Sequence, residues 1–494
     1  MQILSKEQEI LKTRKKFEAL LSMIEHRGEP HTDLGQIEEN LWNGLLGLGL
    51  SLMQAFVANQ GTGDLGPTVE FQGKALRRLS RLHSRRYVSV FGELSIPRTV
   101  YGTRETQKHE LVPLDAALNL PDSDFSYLLQ GWSQRFCVQN SYRKSAASIQ
   151  EILGLSQSVR SLESMSRSMQ DNLEPFRAGQ APPNEVDEAA ILVLTVDGKG
   201  VPMMRENGEE PPTGRRAKGE KANKKRMACV GAAYTVDSFV RTPEEIVDEV
   251  MRGEKAAERP KPKGKEVRAE LIRVIDGEEV NAKDKIFGWL QQESAVRNPG
   301  HQKPVVILMD GERALWSKAG EYLPEAVMIL DLFHVMERLW DIAHCFFPEG
   351  SKEVAEYVRV KLQAILSGKA GRAIGGMRQK GTKSRLKGAK QKILQAALTY
   401  LENNKQAMRY DVYLEMGYPI ASGVVEGACR HLVKDRMELT GMRWTPDGAQ
   451  AILGLRALHI NGQWEKYQAY RLEAERERLY PYRDEIEKKL RAAA

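Results

Sequence analysis

Two hydrophobic periods alternate along this chain, and each change of period marks one of its parts. Over residues 1–85 the spacing is helical, with Ile10, Phe17, Leu20, Leu21 and Ile24 close to one face and charges elsewhere. The region ends in KALRRLSRLHSRR (74–86), where Lys74, Arg77, Arg78, Arg81 and Arg85 stand at i, i+3, i+4, i+7 and i+11. That spacing predicts a basic stripe on one helix face, suited to solvent or to phosphate. Residues 86–125 change to strand-like alternation. YVSVFGELSIPRTVY (87–101) predicts two strands about a glycine turn, a β-hairpin module.

Helical spacing returns over 126–176. Ala147, Ile149, Ile152 and Leu153 predict the apolar face of one helix, and Gly154 its stop. Ser156 or Ser158 then caps a second helix, with Val159, Leu162 and Met165 inside and Gln157, Arg160, Ser161, Ser164 and Arg167 outside. This is the plan of a helix-turn-helix, which the DNA-reading motif shares with hairpins that only pack. RAGQAPPNEVDEAA (177–190) reads as a linker. Beyond it, strand patterns at 191–196, 226–236, 304–310 and 326–331 alternate with helical ones, which predicts an α/β core over 191–349 and 409–464. A basic helical insertion (350–408) interrupts that core, and a C-terminal helix (465–494) follows it.

Composition narrows the classes. The 494 residues are 41% hydrophobic, enough for several buried cores. The most apolar stretch, LLGLGLSLMQAFV (45–57), is short and glycine-broken, so a buried or dimer-forming helix is expected and no membrane span. The N-terminus lacks the apolar centre of a signal peptide. Cys137, Cys229, Cys345 and Cys429 are scattered, with no C-x-x-C pair, which argues against a disulfide framework or a local zinc knuckle. The net charge of +7 is modest. It is concentrated in polar excursions such as TGRRAKGEKANKKR (213–226, with Arg215, Arg216, Lys224 and Lys225) and in 372–392, around Arg385. Clusters of this kind suit DNA backbone.

The candidate chemistry lies in carboxylates. ILVLTVDGKG (191–200) drives an apolar run into Asp197-Gly198, and PVVILMDGERALW (304–316) repeats the pattern at Asp310-Gly311. Each alone reads as a turn after a strand. Two such strands, parallel and adjacent, carry both aspartates to one place, where their repulsion calls for a proton or a cation. Hard oxygen donors suit Mg²⁺ or Mn²⁺. A third ligand is sought in SGVVEGACRHLVKDRMELTGMRW (422–444): Glu426 near a helix start, followed by Arg430 and Lys434 at i+4 and i+8. Asp331-x-x-His334 follows the second aspartate's strand as a possible accessory pair, and Trp444, after Arg443, suits either base stacking or helix packing. An aromatic content of 7% speaks against a two-carboxylate glycoside hydrolase.

At these residues the chain resembles insertion-sequence transposases of the DDE type, in particular the ISKra-type family related to Mutator-like transposases. The resemblance rests on LTVDGKGVPM, ACVGAAYTVDSFVRTPEEIV, PVVILMDGERALW, ILDLFHVMERLWDIAHCFFPEG and SGVVEGACRHLVKDRMELTGMRWTPDGAQAILGLRAL, and it spans about Pro113 to Trp464. It implies an RNase H-like catalytic core with a helical insertion, joined to a mainly helical N-terminal region that holds a β-hairpin and a helix-turn-helix. It further implies a catalytic and metal-binding triad of Asp197, Asp310 and Glu426 holding two Mg²⁺ or Mn²⁺ ions, with Lys199 touching phosphate. Double-stranded DNA is the implied substrate and a homodimer or larger the implied assembly, in the cytoplasm at the nucleoid. Such families often carry a cysteine-paired zinc ribbon before the segment Pro113-Leu114-Asp115. Residues 101–115 hold no cysteine here, so the hairpin stands without metal. The alternatives are a DNA-binding protein that has lost activity and a stand-alone RNase H-like nuclease.

Overall fold

The computed structural model describes residues 6–25, 33–103, 110–205, 225–253, 258–275, 277–439 and 441–493. The chain divides into two units, Met1–Phe176 together with Trp464–Ala494, and Arg177–Gln463.

The first unit opens with helices α1 (Lys6–Glu25) and α2 (Leu34–Asn59). Strands β1 (Thr68–Phe71), β2 (Lys74–Arg78), β3 (His83–Ser89), β4 (Gly92–Arg98) and β5 (Tyr101–Gly102) follow, and then helices α3 (Pro113–Ala117), α4 (Tyr127–Cys137), α5 (Tyr142–Leu153), α6 (Val159–Asp171) and α7 (Leu173–Ala178). Contrary to the helix expected over 74–85, Lys74–Arg78 pairs antiparallel with β1 and His83–Ser89 with β4. The leucines decide the matter. Leu76 and Leu79 are buried but Leu82 is exposed, and β1 sets Val69 against Leu76 across the ladder. The basic residues therefore form no single stripe: Arg78 pairs with Asp64, and Arg85 with Asp115 at 3.0 Å.

The expectation that no segment reaches membrane-span length also fails. Among the described residues α2 is long and apolar enough to cross a membrane. Its glycines do not break the helix, because neighbours pack onto them: a Cβ on Gly44 would meet Leu20, and one on Gly49 the ring of Phe91. In α5 and α6, Gly154 ends the first helix at φ +68° and Ser158 caps the second. The faces differ in part from the pattern. Ile149, Leu153, Leu162 and Met165 are buried, whereas Ala147, Ile152 and Val159 are exposed and Gln157 is buried, accepting from Ser133.

The second unit is mixed α/β. Its elements are β6 (Ile191–Pro202), β7 (Lys225–Val236), α8 (Pro243–Arg252), β8 (Lys263–Leu271), β9 (Arg273–Ile275), β10 (Glu278–Val280), α9 (Ala282–Arg297), β11 (Val305–Met309), α10 (Arg313–Tyr322), β12 (Val327–Leu330) and α11 (Leu332–Phe346). Then come α12 (Lys352–Leu366), α13 (Ala370–Lys383), α14 (Gly388–Asn403), α15 (Tyr410–Glu415), α16 (Gly423–Ala428), a π-helical turn (Cys429–Lys434), α17 (Asp435–Met437) and α18 (Pro446–Ile460). Helices α19 (Trp464–Leu479) and α20 (Arg483–Ala493) return to the first unit, where one C-terminal helix was expected.

Five strands form one sheet in the order β12-β11-β6-β7-β8. β6, β7 and β8 are antiparallel neighbours, while β11 runs parallel to both β6 and β12. β8 begins inside a second stretch, GEKAAERPKPKGKEVR (253–268), whose charges read as a polar excursion. Its alternation nevertheless buries Val267, Ala269 and Leu271 and lays Arg268 over the Trp289 ring. The core on one face is built with α8, α11, α12, α13, α14 and α15, and the core on the other with α9 and α10.

Candidate active site

The sheet's two-residue period fixes where the carboxylates point. In β6, Ile191 and Val193 join the α11-side core, and Leu192, Leu194 and Val196 the opposite one. Asp197, the next residue, returns to the α11 side. In β11, Val306 and Leu308 take the α11 side and Ile307 and Met309 the other, so Asp310 also returns to the α11 side. Val196 is in register with Met309, and Met309 with Leu330. Asp197, Asp310 and Asp331 therefore follow in one row across three adjacent parallel strands.

Each is held by its own set of contacts. Asp197 accepts from the Gly198 amide at 2.6 Å and from the Cys429 thiol at 3.3 Å. Asp310 accepts from the Glu312 amide at 2.9 Å, while its carbonyl accepts from Trp316 Nε1 at 2.7 Å. The Gly311 amide donates to the Tyr400 hydroxyl at 3.1 Å, and Gly311 is required there, since a Cβ would lie 2.3 Å from the Tyr400 ring. Burial raises the Tyr400 hydroxyl to about 12. Asp331 is buried and caps α11. One of its oxygens accepts from Phe333 and the other from the Ser422 amide, both at 2.8 Å. Its carboxylate thus anchors the start of α16, whose fourth residue is Glu426, and Ser422 Oγ caps that helix.

Electrostatics join these groups. Burial raises Asp310, with the neighbouring Asp197 charge adding to the effect and His334 opposing it. Burial likewise raises Asp331, and it raises Glu426, where Asp331 and Asp197 add and His334 again opposes. His334, in the first turn of α11, lies 3.5 Å from Glu337 and faces all three raised carboxylates. Among the described residues no three His, Cys, Asp or Glu side chains are gathered tightly enough to hold an ion. The donor chemistry nonetheless fits a hard divalent cation: burial, and the neighbouring carboxylates after it, make the charged forms of these oxygen ligands costly, and a cation offsets that cost.

The expected DNA contacts are dispersed. Lys199 lies close enough to Cys429 to act on it, and Lys225 pairs with Glu438 at 2.5 Å. Arg430, Lys434 and Arg443 are exposed, with Arg430 3.8 Å from Asp435. The π-helical turn breaks the i, i+4, i+8 line expected from Glu426 through Arg430 to Lys434. Arg385 is exposed between α13 and α14. Arg215, Arg216 and Lys224 lie outside the described residues. In the first unit Lys74, Arg77, Arg81, Arg160 and Arg167 are exposed. Arg160 lines a cleft of about 550 Å³ that Asp122 and Asp124 also line, so the outer face of α6 is not purely basic. Trp444 is buried, donates to the Met437 carbonyl at 3.0 Å and lies under Arg436, so it packs and cannot stack on a base. Sequence reasoning missed Cys429, although its i+3 spacing from Glu426 was a signal. It also missed Tyr400 and Ser422, for which no local pattern exists.

Neither the protein-family models nor the curated proteins compared with this chain give a match.

Proposed function

We propose that this chain is a DDE-type DNA transposase, and that Arg177–Gln463 carries an RNase H-like centre that cleaves transposon ends and transfers the strand into target DNA. The observation that supports it most is the row of Asp197 and Asp310 on adjacent parallel strands, with Glu426 inside the same electrostatic field. Three antiparallel strands followed by two parallel ones also suit that core. Two Mg²⁺ or Mn²⁺ ions held among Asp197, Asp310 and Glu426 would supply the activation of a nucleophilic oxygen and the stabilisation of the leaving one. The chain's own residues position that chemistry. Trp316 and Tyr400 hold the Asp310 loop, and Asp331 and Ser422 hold the helix of Glu426. Exposed Arg430, Lys434 and Arg443 supply charge for the phosphate backbone.

The rival reading, DNA binding without cleavage, draws on the Cys429 thiol that occupies one Asp197 oxygen. A plasmid carrying the DNA that flanks the gene separates the two, incubated with Mg²⁺, Mn²⁺ or EDTA beside Asp310→Asn. Metal-dependent cuts at the ends, absent in Asp310→Asn, are expected. Retarded migration without cutting in either metal favours the rival.

A further inference from the structure

A cavity of about 390 Å³ opens in the second unit, reaching the first turn of α11 next to Asp331, and the proposed chemistry makes no use of it. Its apolar wall comes from Ile246 and Val250 of α8, from Leu332 and Phe333 of α11, and from Phe239 and Val424. Arg241 also lines it, largely buried and poorly satisfied. Its Nη2 donates to the Tyr418 carbonyl at 3.2 Å and its Nε is buried with no acceptor, while no carboxylate pairs with it among the described residues. Burial lowers the Arg241 guanidinium to about 10, and the charge of Arg259 pushes the same way.

The exposed charges around it are mostly matched. Arg259 pairs with Glu249, and Asp237 with Lys263 at 3.6 Å. Among the described residues of the wall, Arg241 is thus the largely buried charge that lacks a counter-charge. Such burial is costly, and an anion seated in the cavity offsets the cost. One unmatched guanidinium calls for one negative charge. A phosphate dianion would bring a second charge against apolar side chains, and Asp237 in the wall disfavours a polyanion such as a nucleic-acid backbone. The volume lies at the small end of the roughly 300–1,000 Å³ of small-molecule pockets, which are likewise apolar with a few placed polar groups.

We propose that this cavity binds a small monocarboxylate with an apolar body, its carboxylate on Arg241 and its body against Phe239, Val250 and Phe333. Such binding does not depend on whether the chain cuts DNA. It does bear on the carboxylate row. Phe333 and Val424 stand on the two turns that Asp331 ties together, by accepting from the Phe333 and Ser422 amides at 2.8 Å each. A ligand in the cavity packs on both turns and holds them closed.

Saturation-transfer NMR on the full chain tests it with 3-phenylpropanoate and octanoate, each beside its uncharged primary amide. The better of the two carboxylates is expected to bind with a Kd of about 1 mM or tighter, and its amide at least about tenfold more weakly. Arg241→Gln is expected to erase that preference for the carboxylate, an effect that loss of a merely structural bond would not produce. Val250→Trp fills the cavity with Arg241 intact and is expected to abolish binding, circular dichroism confirming that each variant is folded. Hydrogen exchange places the site: the bound carboxylate is expected to slow exchange over 331–335 and 417–425. The proposal is overturned if neither carboxylate binds below about 10 mM, if the amides bind equally well, or if Val250→Trp binds as the wild type does. Binding of the acidic peptide acetyl-LDFL in place of both small carboxylates overturns it in favour of a protein partner.

Discussion

Burial and the charge of Asp197 both favour the protonated form of Asp310, and burial with Asp331 does the same for Glu426. A carboxyl whose folded pKa lies above its unfolded one binds its proton more tightly in the native state. Metal-free protein therefore loses stability as pH rises from about 4, the unfolded carboxyl value, through the raised folded values. Asp310→Asn keeps the oxygen that accepts from Glu312 and removes the charge. It is expected to raise the melting temperature of EDTA-treated protein at neutral pH by roughly 1–3 °C in calorimetry. The same variant is expected to cut DNA at least about 100-fold more slowly. Added Mg²⁺ should stabilise the wild type more at neutral pH than at mildly acidic pH, and Asp310→Asn hardly at all; equal stabilisation of both would place the ion elsewhere. Trp444→Phe, which orphans the Met437 carbonyl, should cost about 1–2 kcal/mol in denaturant unfolding and leave affinity for DNA with an unpaired base unchanged. At this scale Asp197 and Asp310 were legible, because an apolar strand that ends in a carboxylate conflicts with burial. The packing of Trp444 was not, because its partners Arg436, Met437 and Met203 meet it only through the fold.

Among the elements, α14 has the clearest task, bracing the Asp310 turn through Tyr400, 89 residues beyond Gly311. Tyr400→Phe removes the acceptor of the Gly311 amide and is expected to cost about 1 kcal/mol and to lower kcat with little change in KM. Gly311→Ala sets a methyl against the Tyr400 ring and Asn404, and about 1–3 kcal/mol of destabilisation is expected. A Gly311→Ala variant of wild-type stability would show that the turn is not braced. Strands with long apolar runs were readable locally. β2 was not, since leucines at three-residue intervals satisfy a helix until β1 arrives to pair with it. β8 was hidden by its lysines and prolines, and only the antiparallel ladder with β7 reveals its alternation.

At the scale of the molecule, the first unit is closed by the last residues of the chain. Tyr467 is buried and donates to the Met169 carbonyl, Arg471 donates to Gln130 at 2.6 Å, and Ile486 packs with Phe71 and Leu76. Deleting 464–494 is expected to abolish the cooperative unfolding transition of the first unit while that of Arg177–Gln463 persists, as read by calorimetry on the truncated chain. Loss of both transitions would contradict the division into two units. No sequence period announced this return, because α19 and α20 look like ordinary charged helices until the surfaces they cover are known.

That closure sets an order of events during synthesis. The helices and strands up to Phe176 leave the ribosome well before Trp464–Ala494, the residues that complete their core. The intervening Arg177–Gln463 unit takes roughly 15–60 s to make at about 5–20 residues per second. For that interval the five-stranded sheet can assemble while its companion waits half-built, with Phe71 and Leu76 lacking the cover of Ile486. A nascent chain thus gains its carboxylates before it gains a finished N-terminal unit, and any function that needs both units waits on the synthesis of Trp464–Ala494.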